Sequence, residues 1–240
     1  MKAGPILALV AMAAAIAPSS ASAAVCGAPF MHEGGYTELQ GSGALRLGAS
    51  LNFTQVNKVS EQECEARVTG AATYGLAGLP EGQSELDYFM TVRNGHAAFE
   101  RREADGSRRP VEGKFDLRML GLFTYDQPVT RVGQTFPEMK FQINVDRKAA
   151  QTGPIGVHTG VKRAGEPQVI STAAGEQQCW PIQYTRTIDS VQASFSGIVV
   201  PIPEMVSTVT DWYCPELNMV MKQESRQSGV TSVVEVTELR

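Results

Sequence analysis

Residues 84–103 read S-E-L-D-Y-F-M-T-V-R-N-G-H-A-A-F-E-R-R-E, and this stretch decides the fold class. Asn94-Gly95 is the pair most favoured in a two-residue β-hairpin turn, because that turn requires positive φ angles at both positions. Apolar and polar residues alternate on both sides of the pair, as they do in antiparallel strands with one buried face. We therefore predict a hairpin here. Counting back from the turn places Asp87 opposite Arg102.

A second turn signal, Asp105-Gly106, follows the hairpin. Counting from it places Glu103 opposite Arg108, so the two turns predict a three-stranded meander with opposite charges across its strands. The arginine pairs of this region are explained as sheet surface. No aromatic residues interleave with them as nucleic-acid stacking would require, so we expect no nucleic-acid partner.

The same period of two recurs elsewhere, for example in the residues Leu45, Leu47, Ala49, Leu51 and Phe53. No capped segment of ten or more residues has apolar positions at helical spacing, and 23 glycines and 13 prolines interrupt the chain every few residues. Both observations indicate strands and turns rather than helices. We predict an all-β protein with little helix, with later strands near residues 117–125, 157–163, 178–188, 193–200, 206–214, 219–225 and 231–238.

The first 23 residues have the features of a secretory signal peptide. Lys2 precedes an apolar run from Ile6 to Ala17, and small residues close the segment. The run is shorter than the roughly 20 apolar residues of a membrane-spanning helix. We expect Sec-dependent export to the periplasm. Anchoring as a lipoprotein at Cys26 is disfavoured, because the residues before it lack the pattern of lipoprotein signals.

Residues 24–240 are expected to form one β domain, with 148–156 as the best candidate for an internal boundary. After the signal peptide no stretch approaches membrane-spanning length, so we expect no transmembrane segment in the mature chain. The formal net charge is −4 and 19% of the residues are charged. This balance does not indicate a binder of polyanions.

The four cysteines of an exported chain predict two disulfide bonds, for which three connectivities are open. Sequential pairing, Cys26 with Cys64 and Cys179 with Cys214, closes the shortest loops. Loop length favours this pairing only weakly, since the entropy of closure grows slowly with length. No two cysteines have C-x-x-C spacing, which argues against a zinc knuckle or a thioredoxin-like redox pair.

The residue types that carry enzyme chemistry form no recognised motif. The chain contains no serine nucleophile elbow, phosphate-binding glycine loop, dinucleotide-binding turn or calcium-binding EF loop. His32, His96 and His158 are far apart, and none has a metal-ligand spacing to another ligand. A Cys–His nucleophile pair would need a free thiol, whereas export favours paired cysteines. We therefore predict no catalytic, cofactor-binding or metal-ligating residues, and no cofactor.

Several elements of the last third of the chain occur together in one known family. They are a small-residue loop ending at Gly175, the step Ile182-Gln183-Tyr184, the run Trp212-Tyr213 followed by Pro215-Glu216-Leu217, and a strand with Val220, Lys222 and Glu224. In these elements the chain resembles a bacterial periplasmic family of unknown function, the DUF3108-like family. It departs from the family at Asn218, where glycine is common, and in the pair Cys179 and Cys214, which is not general to the family.

The resemblance implies a highly curved antiparallel sheet or open half-barrel built of meanders, similar to the periplasmic lipoprotein carriers. It brings no catalytic residues. We therefore expect an exported, non-enzymatic protein that binds a lipid or another hydrophobic or polymeric envelope component, or a partner protein. A hydrolase or redox enzyme of the envelope with an unassigned site, and a purely structural envelope protein, are the alternatives.

Trp212, Tyr213 and Glu216 are the predicted binding surface. Side chains alternate along a strand, so Trp212 and Tyr213 should face opposite sides of the sheet, one in the core and one available to solvent or ligand. Cys214 is expected at the end of this strand, bonded to Cys179. Pro215 then turns the chain out of the sheet, because it cannot donate a backbone hydrogen bond.

Overall fold

The computed structural model describes residues 25–76, 81–94, 96–103, 105–111, 116–143, 150–151, 154–195 and 198–240. The predicted signal peptide lies outside these residues, and the candidate boundary at 148–156 falls partly outside them.

Within the described residues the chain forms strands and two short 3-10 helices, Val25–Gly27 and Leu117–Leu120. The strands are β1 Gly35–Ser42, β2 Leu45–Ser60, β3 Glu63–Leu76, β4 Gly82–Arg93, β5 His96–Arg102, β6 Arg108–Pro110, β7 Thr135–Phe136, β8 Met139–Ile143, β9 Ala150–Gln151, β10 Ile155–Thr159, β11 Lys162–Ala164, β12 Gln168–Thr172, β13 Gly175–Ile188, β14 Val191–Phe195, β15 Ile198–Ile202, β16 Met205–Cys214, β17 Met219–Gln227 and β18 Val230–Leu239. Neither helix is long and apolar enough to cross a membrane.

In the described part of the chain, fifteen strands form one antiparallel sheet that is not closed into a barrel. Its main order is β6-β5-β4-β3-β2-β1-β18-β17-β16-β13-β10-β8. Beyond β10, the short strands β11 and β12 continue along β13, and β7 pairs with β11. Leu86 of β4 and Val157 of β10 lie near opposite ends of this order and yet belong to one hydrophobic core. The predicted all-β, highly curved sheet is confirmed.

The strands β2 to β4 show why this sequence forms a sheet. Leu47, Leu51 and Phe53 are buried at alternate positions of β2, and the polar residues between them point outward. Fully burying one such side chain contributes about 1.5–3 kcal/mol. Because only one register buries all of them, the alternation also fixes how β2 pairs with its neighbours.

The predicted meander is present as β4, β5 and β6, but its second turn differs from the prediction. At the first turn Arg93 pairs with His96, as a two-residue turn requires. At the second, Arg102 pairs with Arg108, and the N–H of Glu103 donates to the carbonyl of Ser107. The loop is therefore one residue longer than predicted, and the prediction that Glu103 lies opposite Arg108 is wrong.

The ion pairs of the meander differ from the predicted cross-strand pairs. Arg101 binds Glu103, two residues further along the chain and just beyond the end of β5, at 2.8 Å. The carboxylate of Asp87 accepts two hydrogen bonds of 3.0 Å from Arg67 of β3. Asp87 thus takes its partner from the other neighbouring strand.

The predicted strand at 117–125 is instead a segment inside the curved sheet, which we call the interior segment (residues 116–125). Asp116 caps the 3-10 helix by accepting a hydrogen bond from the N–H of Arg118, and Gly121 ends it with φ 78°. A side chain on Gly121 would also meet Val220 at 3.0 Å. The segment is enclosed on several sides, so its buried apolar residues do not alternate: Leu117, Met119, Leu120, Leu122 and Tyr125.

Two other predicted strands are each divided. The strand at 157–163 is split into β10 and β11 at Gly160, whose N–H donates to the carbonyl of Thr185. The strand at 193–200 is a hairpin, β14 and β15, which forms a separate small sheet with β9. The other later predictions correspond to β13, β16, β17 and β18.

The two disulfide bonds have the sequential pairing. Cys26 is bonded to Cys64, and Cys179 to Cys214. All four side chains are buried. The first bond joins the 3-10 helix Val25–Gly27 to β3, and the second joins β13 to the end of β16. Both bonds lie at the same end of the sheet, opposite the end that carries the β14–β15 hairpin.

Candidate functional site

The three residues of the predicted binding surface have different environments. Tyr213 is buried, and its ring packs edge-on against that of Tyr125 at 5.5 Å. Burial raises the pKa of its hydroxyl. Trp212 is half-buried and packs against a different hydrophobic cluster, whereas Glu216 is exposed. The structure therefore does not bring the three side chains to one surface.

Side chains of the interior segment pack inside the curved sheet. Leu117, Met119, Leu120 and Leu122 belong to one hydrophobic core together with residues of β1 to β5 and β18, whereas Tyr125 belongs to a second cluster. A cavity between this segment and Tyr213 has a volume of about 10 Å³. That is room for a single water molecule at most. This cavity, lined by described residues, is too small for an acyl chain.

Several buried polar side chains meet on the inward face of β13, β16 and β17. We call them the Asp211 cluster. At its centre, the Asp211 carboxylate accepts hydrogen bonds from the Tyr125 hydroxyl at 2.7 Å, the Tyr184 hydroxyl at 3.3 Å and the Gln223 amide at 2.8 Å. Asp211 is fully buried. The cluster comprises Tyr125, Lys162, Tyr184, Arg186, Asp211 and Gln223.

Two cations accompany the single carboxylate of the Asp211 cluster. Arg186 donates through Nη1 to the carbonyl of Met119 at 3.2 Å and to the side-chain oxygen of Gln223 at 3.0 Å. Its Nε has no hydrogen-bond partner among the described residues. Lys162 is 2% exposed, and its ammonium group lies 5.0 and 4.8 Å from the ring centroids of Tyr125 and Tyr184. The cluster thus buries more positive than negative charge.

The pKa values of the cluster reflect its burial. Burial lowers the pKa of Lys162 to about 8, and the Asp211 carboxylate opposes this shift only in part. Burial and the nearby Asp211 charge raise the pKa values of Tyr125 and Tyr184 well above 10. At neutral pH both hydroxyls therefore remain protonated and can donate to Asp211. Through Arg186 and Met119 the cluster fastens the interior segment to the sheet.

The Asp211 cluster was missed by sequence reasoning, although a signal was present. Val209, Asp211 and Tyr213 occupy alternate positions of one predicted strand, so a charged residue stands between two apolar ones on the inward face. Such a residue is rarely buried without partners. Its partners come from four separate parts of the chain, and their meeting depends on the fold.

Two histidines lie beside carboxylates. His96 Nδ1 is 3.1 Å from Asp126, and His158 Nε2 is 3.3 Å from Asp189. Both histidine side chains are substantially exposed, at 72% and 42%, so these are surface contacts. No group of three or more His, Cys, Asp or Glu residues that could hold a metal ion occurs in the described part of the chain.

An apolar pocket opens at the end of the sheet that carries the β14–β15 hairpin. Its volume is about 230 Å³, and it lies where the ends of β2, β13, β16, β17 and β18 meet. Leu45, Ile188, Met205 and Val230 line it together with serine side chains from three strands. We call this cavity the hairpin-end pocket.

The rim of the hairpin-end pocket carries one exposed apolar side chain, since Val230 is 51% exposed. Val206 and Val199 are exposed as well, but they do not line the pocket. Val206 faces the opposite side of the sheet from the pocket residues Met205 and Ser207, because neighbouring side chains of a strand alternate. Val199 belongs to the β14–β15 hairpin.

Comparison with known proteins gives no family assignment. No protein-family model matches the sequence, and no curated protein matches it. The resemblance to the DUF3108-like family therefore stays a prediction.

Solved structures similar to the chain include three bacterial proteins. A candidate lipoprotein from Parabacteroides distasonis has a TM-score of 0.49 at 15% identity, covering 89% of this chain and 98% of that one. A candidate exported protein with a YmcC-like fold from Bacteroides fragilis has a TM-score of 0.48 at 10% identity, covering 87% and 96%. The hypothetical lipoprotein YmcC from Escherichia coli has a TM-score of 0.35 at 11% identity, covering 85% and 84%. Similarity at these identities and TM-scores carries no information about function.

Proposed function

We propose that this chain is an exported, non-enzymatic protein of the cell envelope, and that it binds an acyl chain of an envelope lipid in the hairpin-end pocket. The observation that carries the proposal is the pocket itself: a cavity of about 230 Å³ with Leu45, Ile188, Met205 and Val230 in its wall. Ligand pockets are concave and mainly apolar, with a few polar groups, and this cavity has that character.

The size of the pocket indicates how much of a ligand it takes. Pockets that enclose a whole drug-sized molecule measure about 300–1,000 Å³. The hairpin-end pocket is smaller, so it suits the end of one chain, while the rest of the chain extends past the rim at Val230. Each methylene group buried there contributes about 0.8 kcal/mol. This mode of binding differs from enclosure inside the curved sheet, because the interior segment occupies that space.

Export is supported by the disulfide bonds. All four cysteines are bonded in pairs, and such bonds persist in oxidising compartments such as the bacterial periplasm. The predicted signal peptide points to the same destination. The non-enzymatic assignment is supported by the bonded state of Cys214, which removes it as a nucleophile.

A fluorescence titration with a dansyl-labelled fatty acid tests the proposal. The unmodified protein should bind the probe, and Ser225→Leu should lower the affinity about tenfold, because the larger side chain displaces at least two methylene groups from the pocket. Ser225 is 9% exposed and lines the cavity. Its inward position makes leucine a filler of existing space.

The matched control is Thr208→Leu, which adds the same side chain to the outward face of β16. Its affinity for the probe should equal that of the unmodified protein. The proposal is wrong if the protein does not bind the probe, or if Ser225→Leu and Thr208→Leu bind it equally well.

A further inference from the structure

The strand β12 forms an exposed edge of the large sheet. Within the described residues it pairs with β13 alone. Its five residues, Gln168–Thr172, include no charged residue and no proline, and Val169 is 64% exposed. An edge of this kind presents unpaired backbone groups to other chains, so proteins usually block such edges.

The direction of the backbone groups of β12 follows from its partner strand. On β13 the carbonyls of Pro181 and Thr185 accept hydrogen bonds from the segment 160–165, so the odd-numbered residues of β13 face that side. Cys179, Gln177 and Gly175 therefore bond to the even-numbered residues of β12 opposite them. The N–H and C=O groups of Val169 and Ser171 point away from the sheet.

The two strands at the ends of the main order carry residues that hinder pairing with another chain, and β12 does not. At one end, β6 is only three residues long and consists of Arg108, Arg109 and Pro110. At the other end, β8 carries the exposed Lys140. Short length, proline and basic residues are the usual means of blocking an edge. Proline precedes β12 at Pro167, but within the strand itself there is neither proline nor a basic residue, so its outer edge is open.

We propose that β12 pairs antiparallel with β12 of a second copy of this chain, around a two-fold axis at Ile170. In this register Val169 lies opposite Ser171 of the second copy, and Ser171 opposite its Val169. Their outward groups then exchange four backbone hydrogen bonds. Ile170 lies opposite Ile170.

A second copy meets no charge repulsion at this edge. The two-fold register places Gln168 opposite Thr172 and leaves no like charges facing each other. The same operation on β6 would place Arg109 opposite Arg109, which is unfavourable. An edge of five residues buries far less than the roughly 1,000 Å² of an ordinary stable interface, so the association should be weak and dependent on concentration.

Cross-linking through introduced cysteines tests the register. In the proposed dimer the two Cα atoms at position 170 form a non-hydrogen-bonded pair about 4.5 Å apart, within reach of a disulfide. Ile170→Cys should therefore give a covalent dimer under mild oxidation. The control is Thr172→Cys on the same face of the strand. Its two Cα atoms would be about 13 Å apart, too far for a bond.

A second substitution tests the hydrogen bonds. Val169→Pro removes an outward N–H from each copy and should be tolerated by the fold, because edge strands accept proline at such positions. In the Ile170→Cys background it should reduce dimer formation about tenfold or more. In the otherwise unmodified chain it should abolish the rise of mass with concentration in sedimentation velocity.

Three results would overturn the proposal. They are equal cross-linking of Ile170→Cys and Thr172→Cys, unchanged cross-linking after Val169→Pro, and a mass of one chain at every concentration for the unmodified protein. The fatty-acid titration is independent of all three, since β12 and the hairpin-end pocket lie at opposite ends of β13.

Discussion

Asp211→Ala is expected to lower the free energy of unfolding by about 3–5 kcal/mol. The substitution leaves Lys162 and Arg186 buried without the carboxylate that lies among them. It also removes the acceptor of the Tyr125 hydroxyl and the Gln223 amide. A buried donor that loses its acceptor costs about 1–3 kcal/mol, so the loss comes from hydrogen bonds as well as from charge.

Urea denaturation followed by circular dichroism measures this effect, and Asp87→Ala is the matched control. Asp87 also accepts two hydrogen bonds, but its side chain is 59% exposed. Exposed pairs contribute about 0–1 kcal/mol. If Asp211→Ala costs no more than Asp87→Ala, the Asp211 cluster does not stabilise the fold as we infer.

Lys162→Met is expected to have the opposite effect from Asp211→Ala. It should raise the free energy of unfolding by about 3 kcal/mol at neutral pH. The pKa of Lys162 is lowered from 10.5 to about 8, chiefly by burial. Each pKa unit corresponds to about 1.4 kcal/mol, which is the cost of holding the charged form in the folded protein. Methionine keeps the length of the side chain without the charge, and such replacements are often stabilising.

The difference in free energy of unfolding between Lys162→Met and the unmodified protein should change with pH in one direction. Between pH 8 and 10.5 the unfolded chain binds a proton at Lys162 that the folded protein has released, so the contribution of Lys162 to stability rises with pH. Below pH 8 both states are protonated and the full cost is present. The stabilisation by Lys162→Met should therefore be largest below pH 8 and shrink towards pH 10.5.

Comparing the variant with the unmodified protein at each pH removes the effect of the tyrosines. Their raised pKa values make the folded protein lose stability as the pH rises above 10, in both proteins alike. Lys140→Met, at an exposed position of β8, is the control and should change the free energy of unfolding by no more than about 0.5 kcal/mol. A stability difference that does not change from pH 7 to 10 would contradict the assigned burial of the Lys162 charge.

The features that follow from local pattern were predictable from the sequence. Alternation of apolar residues gives the strands because a sheet buries every second side chain. Asn94-Gly95 gives one hairpin, since few residue pairs accept its turn geometry. The pairing of Cys26 with Cys64 and of Cys179 with Cys214 is also the one that loop length favoured.

The features that depend on which segment covers a face of the sheet were not predictable from the local sequence pattern. The interior segment contains Leu117, Met119 and Leu120, which suit a strand and a buried helical turn equally well. Asp116 and Gly121, which cap that turn, were a local signal for it. The second meander turn differs by one residue because Asp105-Gly106 fits a loop of either length.

The candidate site also has some features that were predictable from the sequence and others that were not. The alternation of Trp212 and Tyr213 between two faces follows from strand geometry, and they do contact different hydrophobic clusters. Which face is enclosed depends on the interior segment, which buries Tyr213. The hairpin-end pocket joins residues from the ends of five strands, so it exists only in the folded sheet.

Photolabelling with a fatty acid that carries a diazirine at its methyl end tests the central claim most directly. After irradiation, mass spectrometry of the digested protein identifies the labelled peptides. We predict labels on peptides that contain Met205, Ser225 or Val230, and their loss in Ser225→Leu but not in Thr208→Leu. Labels on Leu120 and Leu122 of the interior segment, with the hairpin-end pocket unlabelled, would contradict the account.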